Sequence, residues 1–299
     1  MTMKNRGPLL VLFCYFLFGI LPIYWKIFVT MDPYFILTNR VVWSLLFAVL
    51  MLLLMQQWDR FRAVFRDKKL AWTLCGCGAL LVVNWGTYIV AVNTGHVIEA
   101  SLAYYLNPIM NVILGCVCFK EKLTGLQKMS VVLATTGVLY AVISHGTIPW
   151  LALLIGGSFA CYGALKKTVQ IDGLTSLSVE CAWMFVPALL FGGWLVSQGQ
   201  FAQAGEVVTT WQWLLIPTTG IITAAPLMIY SKGIQTTDYT LAGVLMYINP
   251  TLQFLCGLFF FHEEFTQMYA VMFAFVWAAV ALFLLSALLT HRKQAKAKQ

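Results

Sequence analysis

The chain has 299 residues, of which 61% are hydrophobic and only 10% charged, with 19 Lys and Arg against 11 Asp and Glu for a formal net charge of +8. A soluble domain usually carries about 25% charged residues, so this composition excludes a water-facing surface over most of the chain. The basic residues are split among many short segments and not gathered on one module, which argues against a nucleic-acid-binding protein.

Membrane-spanning helices need roughly 20 apolar residues each, and the hydropathy pattern predicts ten, near 8–29, 34–56, 70–93, 97–119, 126–144, 148–169, 176–197, 210–231, 239–261 and 268–289. The first follows Lys4 and Arg6 but has no small-residue cleavage pattern, so it reads as a retained span and not a signal peptide. Pro22 predicts a kink within it, and Lys26 near its outer end reads as a snorkelling residue. Arg40 lies about six residues into the second span. An arginine there either snorkels to the surface or faces a polar interior, because burial without a partner costs roughly 2.5–3.5 kcal/mol. The connection from Gln56 to Lys69 places Trp58, Phe61 and Phe65 at helical spacing among basic residues, the pattern of a helix lying on the inner membrane surface.

Asn84, beside Trp85 in the third span, is either a helix-packing residue or a cavity group. Glu99 opens the fourth span, and its depth is compatible with a partnership with Arg40. Glu180 lies near the inner start of the seventh. Either carboxylate could carry a coupling proton or contact substrate, or could reach solvent at the boundary. The eight cysteines read as small packing residues, since the pairs Cys75/Cys77 and Cys116/Cys118 point to nearly opposite helix faces. His96 and His262 have no second ligand at metal spacing, so neither a metal nor a cofactor is expected.

Asn107-Pro108 and Asn249-Pro250 fall near the middle of the fourth and ninth spans. Proline removes a backbone hydrogen bond and crowds the carbonyl four residues earlier, here Tyr104 and Met246. Such breaks at matching positions in two halves point to a transporter's binding site, with a plain structural kink as the alternative. Tyr105 and Tyr247, directly upstream, are expected either to line the cavity or to pack.

If the amino terminus is cytoplasmic, 17 of the 19 Lys and Arg fall on inside segments, Lys166, Lys167 and Lys232 among them, and the outside connections carry none. This positive-inside asymmetry places both termini in the cytoplasm. Tyr105-Leu106-Asn107-Pro108 reappears as Tyr247-Ile248-Asn249-Pro250, and at the same offset of 142 Gly115 meets Gly257, Phe119 meets Phe261, Glu121 meets Glu263 and Thr124 meets Thr266. Upstream the offset is 140, where Lys26 meets Lys166, Asp32 meets Asp172, Arg40 meets Glu180 and Trp43 meets Trp183. The expected architecture is an all-α polytopic membrane protein of ten transmembrane helices. They form two five-helix repeats, 8–144 and 148–289, followed by a basic cytoplasmic tail, 290–299. Five is odd, so the second repeat enters from the opposite side, and inverted repeats of this kind underlie many secondary transporters.

The chain resembles the RarD group of EamA-domain permeases, within the drug/metabolite transporter superfamily, over about residues 8 to 287. The cues are Thr38-Asn39-Arg40-Val41-Val42-Trp43-Ser44, Asn84-Trp85, Glu99-Ala100-Ser101-Leu102 through Asn107-Pro108, and Tyr247-Ile248-Asn249-Pro250-Thr251 followed by Glu263. The family often has glycine where this chain has Ala103 and histidine where it has Asn39, departures that bear on substrate choice. The resemblance implies ten helices in a bacterial inner membrane and export of metabolites or drugs. The expected partners are the lipid bilayer, a small-molecule substrate and a coupling proton or other ion. A passive channel or facilitator and a membrane-embedded enzyme acting on lipid are the rival readings. The enzyme would need clustered acid, base or nucleophile at one depth, and no such cluster appears. The absence of a Walker loop disfavours an ATP-driven pump.

Overall fold

The computed structural model describes residues 6–28, 30–93, 97–145, 150–199, 209–260 and 267–296. Every regular element among them is helical. In chain order these are α1 (Gly7–Trp25), α2 (Pro33–Leu54), α3 (Trp58–Val64), α4 (Lys68–Asn93), α5 (Val97–Cys118), α6 (Gly125–His145), α7 (Trp150–Thr168), α8 (Gly173–Ser197), α9 (Thr210–Leu215), α10 (Thr218–Ile234), α11 (Tyr239–Leu245), α12 (Ile248–Phe260) and α13 (Gln267–Lys296), with one short 3₁₀ turn at Lys26–Phe28. Among the described residues, eight candidate spans are long and apolar enough to cross a membrane, which makes this a polytopic membrane protein. They comprise α1 with its turn, α2, α4, α6, α8, the pairs α9–α10 and α11–α12, and α13. Helices α5 and α7 occupy the other two expected span positions.

Helix starts carry their own anions. Asp32 accepts from Phe35 N at 2.9 Å ahead of Pro33, and Asp172, 140 residues later, accepts from Thr175 N at 2.8 Å. Each carboxylate thus satisfies an orphan donor at a helix amino terminus. Glu121 reaches across the bundle to do the same for α11, accepting from Tyr239 N at 2.6 Å and Thr240 N at 2.8 Å.

The proline breaks differ from the sequence expectation. Helix α5 runs unbroken through Pro108, whereas the ninth span breaks at Met246–Tyr247, ahead of Pro250. There the Met246 carbonyl, which Pro250 cannot serve, accepts from Asn249 N at 2.9 Å. A break not anticipated from sequence separates α9 from α10 at Ile216–Pro217. The short helix α3 is present, but its aromatic side docks on protein: Phe61 packs into apolar clusters with α4 and α8 residues, and the Phe65 ring lies 6.4 Å from that of Trp183.

Helix packing follows matched pairs. Helix α7 packs on α5 and α4, while α1 packs on α12 and α10; α2 packs on α8 and α10, and α4 on α8; α6 packs on α13 and α5 on α11. The outer surface is apolar, with Leu54, Val117, Ile143 and Leu190 all more than two-thirds exposed, as lipid-facing residues should be. Trp72, Trp150 and Trp211 stand exposed near helix starts, where indole rings favour the membrane–water interface.

Two glycines mark close backbone crossings. A β-carbon on Gly78 would meet the Glu180 carbonyl oxygen at 3.1 Å, and one on Gly220 would strike the backbone of Trp43 and come within 2.7 Å of Ser44 N. Backbone cannot rotate away, so overpacking of about 1–3 kcal/mol follows. Gly220→Ala is therefore expected to lower thermal stability of the purified protein in detergent, whereas Gly193→Ala, with nothing within 4 Å of the new carbon, should leave it within error.

Candidate functional site

A cavity of ≈ 660 Å³ enters the bundle between α1, α2, α4, α5, α7, α10 and α12. Its volume lies within the roughly 300–1,000 Å³ range of small-molecule pockets. Lys26, Phe28, Met31 and Pro33 stand at one end of it, where α1 passes to α2, and Phe159, Leu227 and Met246 lie deeper. The walls are mainly apolar and aromatic, and among the described residues they include two cations, Lys26 and Arg40, and no carboxylate.

Arg40 sits seven residues beyond the start of α2, about 10 Å along the helix. Its guanidinium carbon lies 4.6 Å from the ring centroid of Trp25 and 4.5 Å from that of Trp85, and Nε donates to Thr223 Oγ1 at 3.1 Å. Contact with the two indoles offsets part of the cost of holding a cation inside the bundle. Its expected partner, Glu99, has a side chain outside the described residues.

The wall asparagines are engaged. Asn84 Nδ2 donates to the Ile155 carbonyl at 2.7 Å and to Ser158 Oγ at 3.2 Å. Asn107 Nδ2 donates to the Gly156 carbonyl at 2.7 Å, and its Oδ1 accepts from Asn111 Nδ2 at 3.1 Å. Asn249 Oδ1 accepts from Gln253 Nε2 at 2.8 Å. All three lie on the cavity wall and also tie helices together or brace a helix turn.

The remaining sequence candidates stand elsewhere. Tyr105 is 2% exposed, with its ring edge-on to Phe273 and its hydroxyl donating to the Pro250 carbonyl at 3.3 Å. Tyr247 belongs to the same apolar cluster, and with Pro108 it borders a separate void of ≈ 10 Å³, about the room of one water. Pro108 and Pro250 are buried and neither borders the large cavity. The reason is helical phase: a residue two positions away on a helix is turned by about 200°, so Asn107 faces the cavity and Tyr105 faces the core. It is Tyr104, not Tyr105, that reaches the wall.

Beyond the cavity floor the bundle is closed. Phe159, Tyr162 and Lys166 descend one face of α7 at spacings of three and four residues. The Phe159 ring lies 5.7 Å from Tyr162 and 6.0 Å from Tyr230, and the Tyr162 and Tyr230 rings stack 6.2 Å apart. Tyr15, Tyr162, Tyr230 and Tyr239 are all fully buried. Gly163 leaves room for the Tyr230 and Tyr239 hydroxyls, against which any β-carbon would collide.

Lys166 lies beneath these rings. It falls in the last turn of α7, as the sequence expects, but its side chain does not face water. It is 1% exposed, and its Nζ donates to Glu180 Oε1 and to Ser176 Oγ, each at 2.5 Å. Ser176 Oγ in turn donates to Glu180 Oε1 at 3.1 Å, and the Tyr162 hydroxyl donates to Oε2 at 3.3 Å. Glu180 is 0% exposed, so it has no solvent-facing boundary position. Lys166, Trp25, Tyr88, Tyr104 and Thr223 were missed as site residues by sequence reading. The available signals were the pairing of Lys166 with Lys26 in the repeat and, for Trp25, the adjacency to Lys26.

Breaking a buried ion pair from one side strands a charge, at a cost of about 3–5 kcal/mol, whereas replacing both partners by apolar side chains is often neutral or stabilising. Glu180→Gln should therefore lower the unfolding temperature in detergent markedly, and the Glu180→Leu/Lys166→Met double variant should recover most of the loss. Two independent, additive losses would show that the pair is not coupled.

The profile of the EamA-like transporter family matches residues 5–143. An uncharacterized transporter of Bacillus subtilis, YojE, is 35% identical over 94% of this chain and 94% of its own length. Protein RarD of Escherichia coli is 32% identical over 98% of both chains, and protein RarD of Streptomyces exfoliatus is 35% identical over 97% of this chain and 91% of its own. A crystal structure sharing 14% sequence identity superposes with a TM-score of 0.66 over 94% of this chain and 98% of that one, a likeness of fold. With relatives of this identity along nearly its whole length, the chain belongs to the RarD group of EamA-like permeases and is a membrane transporter.

Proposed function

We propose that the protein is an alternating-access secondary transporter of ten spans in two inverted five-helix repeats, exporting a small metabolite or drug across the bacterial inner membrane. The observation that carries this reading is a triplet of repeat-related positions in opposite surroundings. Lys26, Arg40 and Tyr88 border the open cavity. Their counterparts Lys166, Glu180 and Tyr230, at offsets of 140, 140 and 142, are fully buried at the closed end. Arg40 and Glu180 each sit seven residues beyond the start of a helix capped by aspartate. One packing, used twice with one copy open and the other shut, is what alternating access by inverted repeats requires.

The packing pairs support the same symmetry. Exchange of the halves turns α7 on α5 and α4 into α1 on α12 and α10, turns α2 on α10 into α8 on α4, and maps α2 on α8, α6 on α13 and α5 on α11–α12 onto themselves. The Gly78–Met184 and Gly220–Ser44 crossings exchange likewise, at offsets of 142 and 140. Helix α5, of 22 residues, and α7, of 19, are about 33 and 28 Å long, sufficient to complete ten spans. Export as the direction rests on the likeness to drug/metabolite transporters; one relative, from Pseudomonas aeruginosa, is named chloramphenicol-sensitive protein RarD. The Lys166–Glu180 pair ties α7 to α8 at the closed end, and opening that end would part it.

Reporter fusions after residues 147 and 204 are expected to face the outside, and those after 65, 171 and 295 the cytoplasm; an outside signal at 295 would sink both the span count and the inversion. Alternation itself is tested by thiol labelling in a chain whose native cysteines are replaced. An impermeant maleimide applied outside should label Leu37→Cys on the cavity wall, while Ser231→Cys, at a fully buried position near the tyrosines, should resist labelling from the inside in the same state. Simultaneous labelling from both sides, or flux in proteoliposomes that does not saturate, would identify a channel.

A further inference from the structure

We propose that the cavity selects a substrate bearing a carboxylate on an apolar or aromatic body, with Arg40 as the residue that holds the carboxylate. The proposal rests on the transporter reading of the cavity and adds the chemical class of its cargo.

The guanidinium of Arg40 is approached by two indole rings, Trp25 at 4.6 Å and Trp85 at 4.5 Å. Neither ring offers a lone-pair acceptor, so these contacts meet the charge without using its N–H groups in ordinary hydrogen bonds. One of these is used: Nε donates to Thr223 Oγ1 at 3.1 Å, which fixes the in-plane orientation of the group. This is the one hydrogen bond that Arg40 makes among the described residues, and no described carboxylate lies within ion-pair distance of it. The two terminal amino groups form a planar fork whose geometry matches the two oxygens of a carboxylate. A neutral ligand group could accept from the fork but would not neutralise the charge, which in a largely apolar cavity favours an anion.

Two further observations point to the same class. The described wall has no carboxylate to attract a cationic substrate or to compete for the arginine. The amide groups of Asn84 and Asn107 and the Oδ1 of Asn249 are already engaged within the protein, so Arg40 carries the largest share of unspent donor capacity on the wall. The indoles of Trp25 and Trp85 and the side chains of Phe18, Phe159 and Tyr104 then enclose the remainder of the ligand in apolar surface.

The test uses the purified full-length chain in lipid nanodiscs and matched probe trios sharing one apolar body: naphthalene-2-carboxylate, its carboxamide and the corresponding methylammonium, with 3-phenylpropanoate and indole-3-acetate trios alongside. Binding is read by equilibrium dialysis. At least one carboxylate is expected to bind roughly tenfold to a hundredfold more tightly than its amide, the range for a hydrogen-bonded charge pair, and the ammonium more weakly than either. Arg40→Gln should abolish the preference. Arg40→Lys should keep only part of it, since lysine retains charge but not the fork. The wild-type ratio decides the question even where a variant does not fold. Equal or better binding of amides or ammonium probes, or binding by no carboxylate, would overturn the assignment, as would a preference that emerges only in Glu99→Gln, which would show Glu99 to be the arginine's standing partner. Flux in proteoliposomes separates the two readings. A neutral or cationic member transported in place of the acid overturns the anion class and leaves transport standing; a carboxylate bound through Arg40 and never transported does the reverse.

Discussion

A charge that leaves water for the membrane interior must be neutralised or given a polar surface to face, because solvation in hydrocarbon cannot replace what water supplied. The deep charges described here meet that constraint in two ways. Lys166 and Glu180 neutralise one another at 2.5 Å, with Ser176 and Tyr162 satisfying the carboxylate further. Arg40 remains charged beside two tryptophans at the wall of a ≈ 660 Å³ cavity. The first arrangement suits a closed region and the second an open one. Under the proposed internal repeat these positions correspond, which links the charge placement to the proposed alternation.

Within the alternating-access reading, the closed end must be stable when dry and weak when wet. A buried ion pair has this property. Its removal from one side is costly while it stays buried, yet exposed pairs contribute only about 0–1 kcal/mol, so entry of water dissolves much of the interaction and hydrates both ions. The tyrosines act similarly: they fill volume with apolar rings and carry hydroxyls that water can serve. Tyr239 already bonds to the Ala160 carbonyl at 2.5 Å and to Asn111 Oδ1 at 3.0 Å. A plug of aliphatic side chains alone would lack such groups on exposure.

Much of this was legible in the sequence because membrane insertion imposes length and sign on each helix. The aspartates at 32 and 172 match at an offset of 140 and each caps a helix, and Arg40 and Glu180 match at the same offset, each seven residues beyond such a helix start. What the sequence could not supply was rotation about each helix axis. Tyr104 and Tyr105 are adjacent in a motif, yet one borders the cavity and the other the core. Lys166 and Lys167 share the last turn of α7, yet Lys167 Nζ hydrogen-bonds to the Thr237 carbonyl while Lys166 turns inward. A pair of adjacent lysines gives one charge signal, and only packing separates their fates. Likewise, proline marks where a backbone hydrogen bond is missing without stating whether the chain breaks, as at Met246–Tyr247, or continues, as through Pro108.

The Asn-Pro motifs serve both the fold and the site, and this division limits how the site can discriminate. Tyr105 of one motif donates to the Pro250 carbonyl of the other, Asn107 holds the Gly156 carbonyl of α7, and Asn249 accepts from Gln253 within α12. Groups so engaged keep the helices in register where α5 meets the ninth span, and a substrate that competed for them would loosen the framework around its own pocket. Recognition is better carried by a group anchored independently of that junction. Arg40 is such a group, oriented by Thr223 and by indoles from α1 and α4. Helices α1, α4 and α10, which supply these groups, line the cavity without supplying the Asn-Pro junction, so under the alternating-access proposal a ligand held there would touch walls that close around it.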